Sequence, residues 1–172
     1  MLINRVWAMP NKWTFQIPPI KDLLAKYCGD GKGWIDPFAG TSSPAEFRND
    51  LNPEMPAQYH IDALDFIKQL DGQFRGILFD PPYSYHQMKE CYMEIGKGNI
   101  TSRHATSFYG DLREAIEDKI IPGGIAISCG WNSIGMGKTH GFEIIEILLV
   151  CHGGAHNDTI VTVDKKVQSN LI

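Results

Sequence analysis

The chain has 172 residues, 43% of them hydrophobic, and a formal net charge of −4. That length suits one domain, 1–172, with a substantial core and excludes a second full domain. The charge excludes a globally basic nucleic-acid binder, so any such footprint has to be local.

No apolar run reaches the ~18–20 residues of a membrane span, and no basic-then-apolar leader opens the chain, so a soluble, cytoplasmic protein is expected. Cys28, Cys91, Cys129 and Cys151 are scattered, without a Cys-x-x-Cys pair, and read as reduced thiols.

In chain order, residues 1–18 carry Trp7, Trp13, Phe15 and a Pro10-Asn11 turn and read as an ordered arm. Ile20, Leu23, Leu24 and Tyr27 recur at helical spacing, Pro19 suits a first helical position and Gly29 a C-terminal cap, so a helix is predicted over 19–28 and the arm with its helix over 1–30. Trp34-Ile35-Asp36 is a short strand before a glycine turn. A parallel crossover usually needs a dozen or more residues and a helix. Only ten separate Gly40 from Asp50, so the first crossover helix is expected to be reduced or absent.

Phe47–Pro53 reads as a second strand with an acidic end, Gln58–Asp62 as a third, and Ala63–Leu70 as an amphipathic helix capped by Asp62. Gly76–Phe79 is a fourth strand. Residues 84–110 are the least patterned part and read as a lid or target-recognition insertion. A helix is predicted over Asp111–Ile120, a fifth strand over Ile125–Cys129, and a closing hairpin from Phe142–Val150 and Asn157–Val163. Strands alternating with helices define an α/β fold of Rossmann-like type: a mostly parallel sheet closed by an antiparallel C-terminal hairpin.

Two strand exits carry chemistry. Ile77-Leu78-Phe79 runs directly into Asp80-Pro81-Pro82-Tyr83, where two prolines fix φ and lack N–H groups, leaving a stiff polar turn tipped by a flat ring. In open α/β sheets ligands bind at such carboxyl ends. The other exit is Asp36-Pro37-Phe38-Ala39-Gly40, whose glycine allows close backbone approach to a ligand. A Gly-x-Gly-x-x-Gly fingerprint is missing, as suits a ligand without a pyrophosphate. Either Asp-Pro alone is ordinary turn punctuation.

Together, Asp80-Pro81-Pro82-Tyr83 and Asp36-Pro37-Phe38-x-Gly40 resemble the motifs of amino-methyltransferases that use S-adenosylmethionine. The compact adenine-specific (N6) DNA methyltransferases of phages and mobile elements are the most similar group, and the resemblance covers most of the chain in one unpermuted order. It implies a methyltransferase with catalytic residues Asp80, Pro81, Pro82 and Tyr83. It also implies a cofactor pocket from Lys12, Trp13 and Thr14 of the arm, Asp36, Pro37, Phe38, Ala39, Gly40 and Thr41 of the loop, Asp50 and Leu51 at the ribose, Asp62 and Ala63 at the adenine, and Asp80.

The residues themselves leave alternatives open. The arm aromatics equally suit a plug at the core edge. Asp50 can accept two hydrogen bonds from ribose hydroxyls or stand as a solvated turn residue, and Asp62 can serve as a plain N-cap.

Methylating an aromatic amine requires its delocalised lone pair to be localised. Asp80 and the Pro81 carbonyl would accept the two N–H groups while Tyr83 stacks on the base. A duplex base must be flipped to reach such a pocket. Transfer then demands positioning more than proton chemistry, so no histidine base is required.

Tyr85, Lys89, Arg103, His104, Trp131, Asn132, His152 and His156 are the candidate nucleic-acid contacts. His152, His156 and Asp158 suggest a metal set, but no fourth ligand is nearby and the chemistry needs no metal. The expected partner is DNA, with RNA as the other candidate, and the insertion at 84–110, a homodimer partner or a separate subunit is expected to supply target recognition. Alternatives are an RNA adenine or N4-cytosine methyltransferase and a non-catalytic methyltransferase-like subunit.

Overall fold

The computed structural model describes residues 1–96 and 102–167, without the side chains of 102–106. Its elements are β1 (Leu2–Trp7), α1 (Pro18–Cys28), β2 (Trp34–Asp36), β3 (Phe47–Arg48), α2 (Ala63–Gln69), β4 (Phe74–Phe79), α3 (Tyr85–Glu94), α4 (Ser102–Glu117), β5 (Ile120–Gly130), β6 (Phe142–Cys151) and β7 (Thr159–Lys166), with single 3-10 turns at Thr14–Gln16 and Lys138–His140.

The seven strands form one sheet in the order β1-β6-β7-β5-β4-β2-β3. All run parallel except β7, which inserts antiparallel between β5 and β6. The chain leaves β2 outward to β3 and returns to β4 on the other side, so the order reverses between β2 and β4. Both exits, Asp36-Pro37 and Asp80-Pro81, therefore open into one crevice.

β4 is buried on both faces, as its apolar run requires. Leu78 packs into the core under α1, with Ile20, Leu23, Leu24, Val161 and Val163. Ile77 and Phe79 pack into the core under α2 and α4, with Phe66, Ile67, Leu112 and Ile116. Phe66, Ile67, Leu112 and Ile116 have no exposed surface, and full burial of such a side chain contributes about 1.5–3 kcal/mol. β2 sits close against β4 because Gly76 makes room: a Cβ there would lie 2.7 Å from the Trp34 ring.

The predicted α1 is present, with Pro18 and Pro19 in its first turn and Gly29 at φ 58° beyond its end. No helix stands between β2 and β3, as the short crossover required.

Three expectations are corrected. The arm begins with a strand, β1, paired in parallel with β6. The third strand at 58–62 is reduced to a single bridge between Asn49 and Tyr59, because Asn49 takes over the pairing with its side chain, bonding the Ile61 N–H and carbonyl. Within 84–110 the described residues include α3 and the first part of α4, which begins at Ser102. The helix predicted over 111–120 ends at Glu117, and β5 starts at Ile120, absorbing Pro122-Gly123-Gly124 beside an irregularity in its pairing with β4. Among the described residues no helix is long and apolar enough to cross a membrane.

Candidate active site

The carboxyl ends of β2, β3, β4 and β5 open into a cleft of about 810 Å³. That volume lies within the ~300–1,000 Å³ usual for small-molecule sites. Its walls include Lys12, Trp13 and Thr14 of the arm, Pro37, Phe38, Asp50, Leu51, Ala63, the whole Asp80–Tyr83 turn, and Trp131.

Asp80 is the first residue beyond β4, and its Oδ1 accepts a hydrogen bond from the Tyr83 hydroxyl at 2.5 Å. The Thr14 hydroxyl of the arm lies beside it and favours its charged form. Burial raises the Asp80 pKa above the ordinary carboxylate value, and these two hydroxyls counteract the rise. Burial first, and then the charge of Asp80, raise the Tyr83 phenol well above its usual range. The tyrosine ring meets Trp131 edge to face at 5.6 Å, so two aromatic side chains flank the carboxylate.

Helix α3 and the N-terminal half of α4 brace the turn. The Tyr109 hydroxyl of α4 donates to the Pro82 carbonyl. The Tyr83 N–H donates to Gln87 Oε1 of α3 at 2.7 Å, while Ser84 caps α3 by accepting from the Gln87 N–H at 3.2 Å. Ser84-x-x-Gln87 is a capping-box pattern and was readable from sequence. Nothing local marks Tyr109.

On the opposite wall the arm lies over the Asp36–Gly40 loop. Gly40 has φ 53°, and a Cβ there would lie 3.1 Å from the Trp13 ring. The Lys12 ammonium stands 5.2 Å above that ring. The arm is fastened at its base by Ala8, whose N–H donates to the Cys151 carbonyl and whose own carbonyl receives His152 Nδ1 at 2.8 Å.

Asp36 is fully buried and turned away from the cleft. It accepts from the Ser43 hydroxyl at 2.5 Å and the Phe38 N–H at 2.9 Å. Burial pushes its carboxyl up to about 7, and the charges of Asp80 and Asp50 add to the rise. Ala39 is buried too, and Thr41 bonds Ser42 and Gln16 beside the loop.

Asp50 does reach the cleft. Its Oδ2 accepts from the Gly40 N–H and its Oδ1 from the Asn52 N–H, each at 2.9 Å, so it fixes the loop while keeping further acceptor capacity.

Asp62 is the N-cap of α2. Its Oδ1 caps α2 by accepting from the Leu64 N–H at 2.9 Å, and its Oδ2 accepts from the Tyr92 hydroxyl of α3. Its neighbour Ala63 lines the cleft.

The candidate target contacts divide. Trp131 and His156 lie on the wall and are exposed. Asn132 accepts from the Ile134 N–H, forming its own turn. Tyr85 and Lys89 stand on α3 away from the wall, and the side chains of Arg103 and His104 lie outside the described residues. His152 has both ring nitrogens engaged, by the Ala8 carbonyl and the Thr159 hydroxyl at 2.9 Å, and is buried. It ties the arm to the hairpin loop and has no ring nitrogen free for a ligand, which corrects its expected role. Asp158 accepts from the His152 N–H.

Among the described residues no three His, Cys, Asp or Glu side chains are grouped to hold a metal. The charged wall residues are Asp50, Asp80, Glu90 and Glu94 against Lys12, so the rim is acidic.

Sheet order and cleft together define the Rossmann-like methyltransferase fold. No family profile matches the chain, and no curated protein matches it in sequence. Solved structures do match. TrmN from Thermus thermophilus superposes with a TM-score of 0.59 at 17% identity over 88% of this chain, which spans about half (49%) of TrmN.

The 1,6-didemethyltoxoflavin-N1-methyltransferase of Burkholderia thailandensis, crystallised with 1,6-didemethyltoxoflavin and S-adenosylhomocysteine, gives a TM-score of 0.57 at 15% identity over 87% of this chain and 77% of its own. The putative methyltransferase yhhF of Escherichia coli gives 0.57 at 9% identity, over 92% and 90%. At such identities the likeness is one of fold.

Proposed function

We propose that the chain is an S-adenosylmethionine-dependent methyltransferase acting on the exocyclic N6 amine of adenine in DNA, with the base flipped into the cleft. The observation that carries this reading is the presentation of Asp80, on its double-proline turn, to the same cleft that the arm and the Gly40 loop close from the other side.

The residues fit such a cofactor. Gly40 leaves room where a side chain would collide with Trp13, and Asp50 offers carboxylate acceptors at the cleft edge for vicinal hydroxyls. Pro37, Phe38, Leu51 and Ala63 give an apolar seat for a flat ring. The cofactor, when bound, supplies an electrophilic methyl on a sulfonium.

The remaining work belongs to the chain. Asp80 and the Pro81 carbonyl accept the two N–H groups of the target amine, drawing the nitrogen toward tetrahedral geometry. The amine takes the acceptor position now held by the Tyr83 hydroxyl, and the freed ring stacks on the base opposite Trp131. Alignment at roughly 3–3.5 Å between reacting atoms supplies the rate. The amine proton becomes acidic once the nitrogen is alkylated and leaves to solvent.

The acidic rim favours a second reading, a small free heteroaromatic amine, because four carboxylates against one lysine repel a phosphate backbone. Under the DNA reading, the backbone runs outside this rim, on another face, a second copy or a partner subunit.

The test is incubation with methyl-labelled cofactor and separate pools of DNA, RNA and free nucleobases, followed by mass spectrometry of the nucleosides. N6-methyladenine in DNA is the expected product. Label in N4-methylcytosine or RNA reassigns the target, label in free bases alone selects the second reading, and measurable cofactor affinity without transfer to any pool indicates a non-catalytic subunit.

A further inference from the structure

We propose that Gln87 reads the ring nitrogen beside the target amine, which makes it a specificity-determining residue of the base pocket. The inference rests on the reading of the cleft as an amine-methylating site and names the kind of ring it accepts.

The orientation of the side chain is determined by its partner. Gln87 Oε1 receives the Tyr83 N–H at 2.7 Å. The oxygen and the NH₂ of a primary amide lie at opposite ends of one plane, so this bond fixes which end is which. The NH₂ is therefore directed away from the Tyr83 backbone, and Gln87 lines the cleft. The residue is rigid as well as oriented. Its own N–H is held by Ser84 Oγ, and the next residue, Met88, is buried. Among the described residues nothing accepts from Gln87 Nε2.

The surroundings make this donor unusual. The turn beside it is rich in acceptors and poor in free donors: Pro81 and Pro82 have no N–H, and the Tyr83 N–H is used by Gln87 itself. The Tyr83 hydroxyl donates to Asp80, and the Tyr109 hydroxyl donates to the Pro82 carbonyl. Gln87 Nε2 is thus a donor beside a turn that otherwise offers acceptors to an amine.

A ring whose amine sits beside an unprotonated ring nitrogen presents donor next to acceptor and matches this wall. Adenine has such an edge. Guanine presents N1–H and a carbonyl there, setting donor against donor. The site therefore selects an amidine-like edge, and a ring with carbon in place of that nitrogen leaves the Gln87 NH₂ unpaired.

The experiment compares single-stranded oligonucleotides carrying adenine, 1-deazaadenine or 7-deazaadenine at one position, with the wild-type protein, Gln87→Glu and Gln87→Met. Gln87→Glu keeps an oxygen for the Tyr83 N–H and removes the donor. The wild type is expected to prefer adenine over one deaza analogue by about 10–100-fold in kcat/KM, the size expected for leaving one donor unpaired. In Gln87→Glu that ratio should collapse toward one, with cofactor affinity and Tm held near wild type. Gln87→Met should lose the ratio and also lower kcat on every substrate, because Tyr83 is released.

A wild-type ratio near one for both analogues, or a high ratio that survives in Gln87→Glu, overturns the assignment of Gln87 alone. Failure of the wild type to methylate adenine overturns the parent reading together with it.

Discussion

The two Asp-Pro strand exits, Asp36-Pro37 and Asp80-Pro81, are near twins in sequence and neighbours in the sheet, since β2 and β4 pair directly through Trp34–Gly76 and Ile35–Ile77. Burial raises the pKa of both carboxyls. Yet Asp36 is turned inward onto the Ser43 hydroxyl and the Phe38 N–H of its own loop, while Asp80 lines the cleft and meets the Tyr83 hydroxyl of its own turn and the Thr14 hydroxyl of the arm.

The residues after each aspartate decide the difference. Beyond Asp36 the chain bends back through Gly40 and Ser43 and supplies donors of its own. Beyond Asp80 two prolines deny the carboxylate any local N–H. A carboxylate starved of local donors is available to a substrate. One supplied with them becomes part of the wall.

The comparison breaks most decisively at Asp80. Asp80→Ala is expected to reduce methyl transfer by about 10³-fold or more while cofactor affinity stays near wild type. The magnitude is that of removing one electrostatic contact made in the transition state. Labelled-methyl incorporation beside calorimetry checks it, and near-normal turnover would remove Asp80 from the reaction.

Asp36→Ala is expected to act through the fold. Leaving the Ser43 hydroxyl and the Phe38 N–H unpaired should cost about 1–3 kcal/mol of stability, read from denaturant unfolding. Cofactor affinity should weaken as the loop loosens, and unchanged affinity in calorimetry would detach Asp36 from the pocket.

Asp36→Asn sharpens the contrast by pH. The folded-state pKa of Asp36 is raised to about 7, above the ~3.9 of an unfolded aspartate. Its favourable contribution is therefore complete below about pH 4 and is lost as pH rises through about 7. Thermal melts should show wild type losing stability relative to Asp36→Asn across that window, and parallel profiles would contradict the burial of the charge.

The smallest effect is at Asp62. Tyr92→Phe frees its Oδ2, so cofactor affinity should tighten by a few-fold, on the order of one net hydrogen bond or less. Weaker binding would mean that Tyr92 itself holds the ligand.

Much of the site was legible because it is local. Asp-Pro-Pro-Tyr after an apolar run, the glycine turn and the missing crossover helix each depend on a few adjacent residues. The features that escaped depend on distant partners. β1 has no alternating pattern because it is an edge strand with Leu2, Ile3 and Trp7 exposed, and only its register with β6 makes it a strand. The 58–62 segment has a strand-like composition, but Asn49 satisfies its backbone by side chain and leaves one bridge. His152 reads from sequence as a hairpin-loop contact to nucleic acid. That it is buried against Ala8 depends on a contact 144 residues away in the chain.

That last contact bears on when the protein becomes competent. The arm that covers the Gly40 loop is secured by β6 and by the hairpin loop beyond it, so it waits for a contact made 144 residues later in the chain. Contacts of such sequence separation form late, and chains emerge from the ribosome at roughly 5–20 residues per second. A nascent chain lacking β6 and β7 has its Asp36 and Asp80 exits but no fastened arm. Synthesis itself therefore delays completion of the pocket until β6 and the hairpin loop after it have left the ribosome.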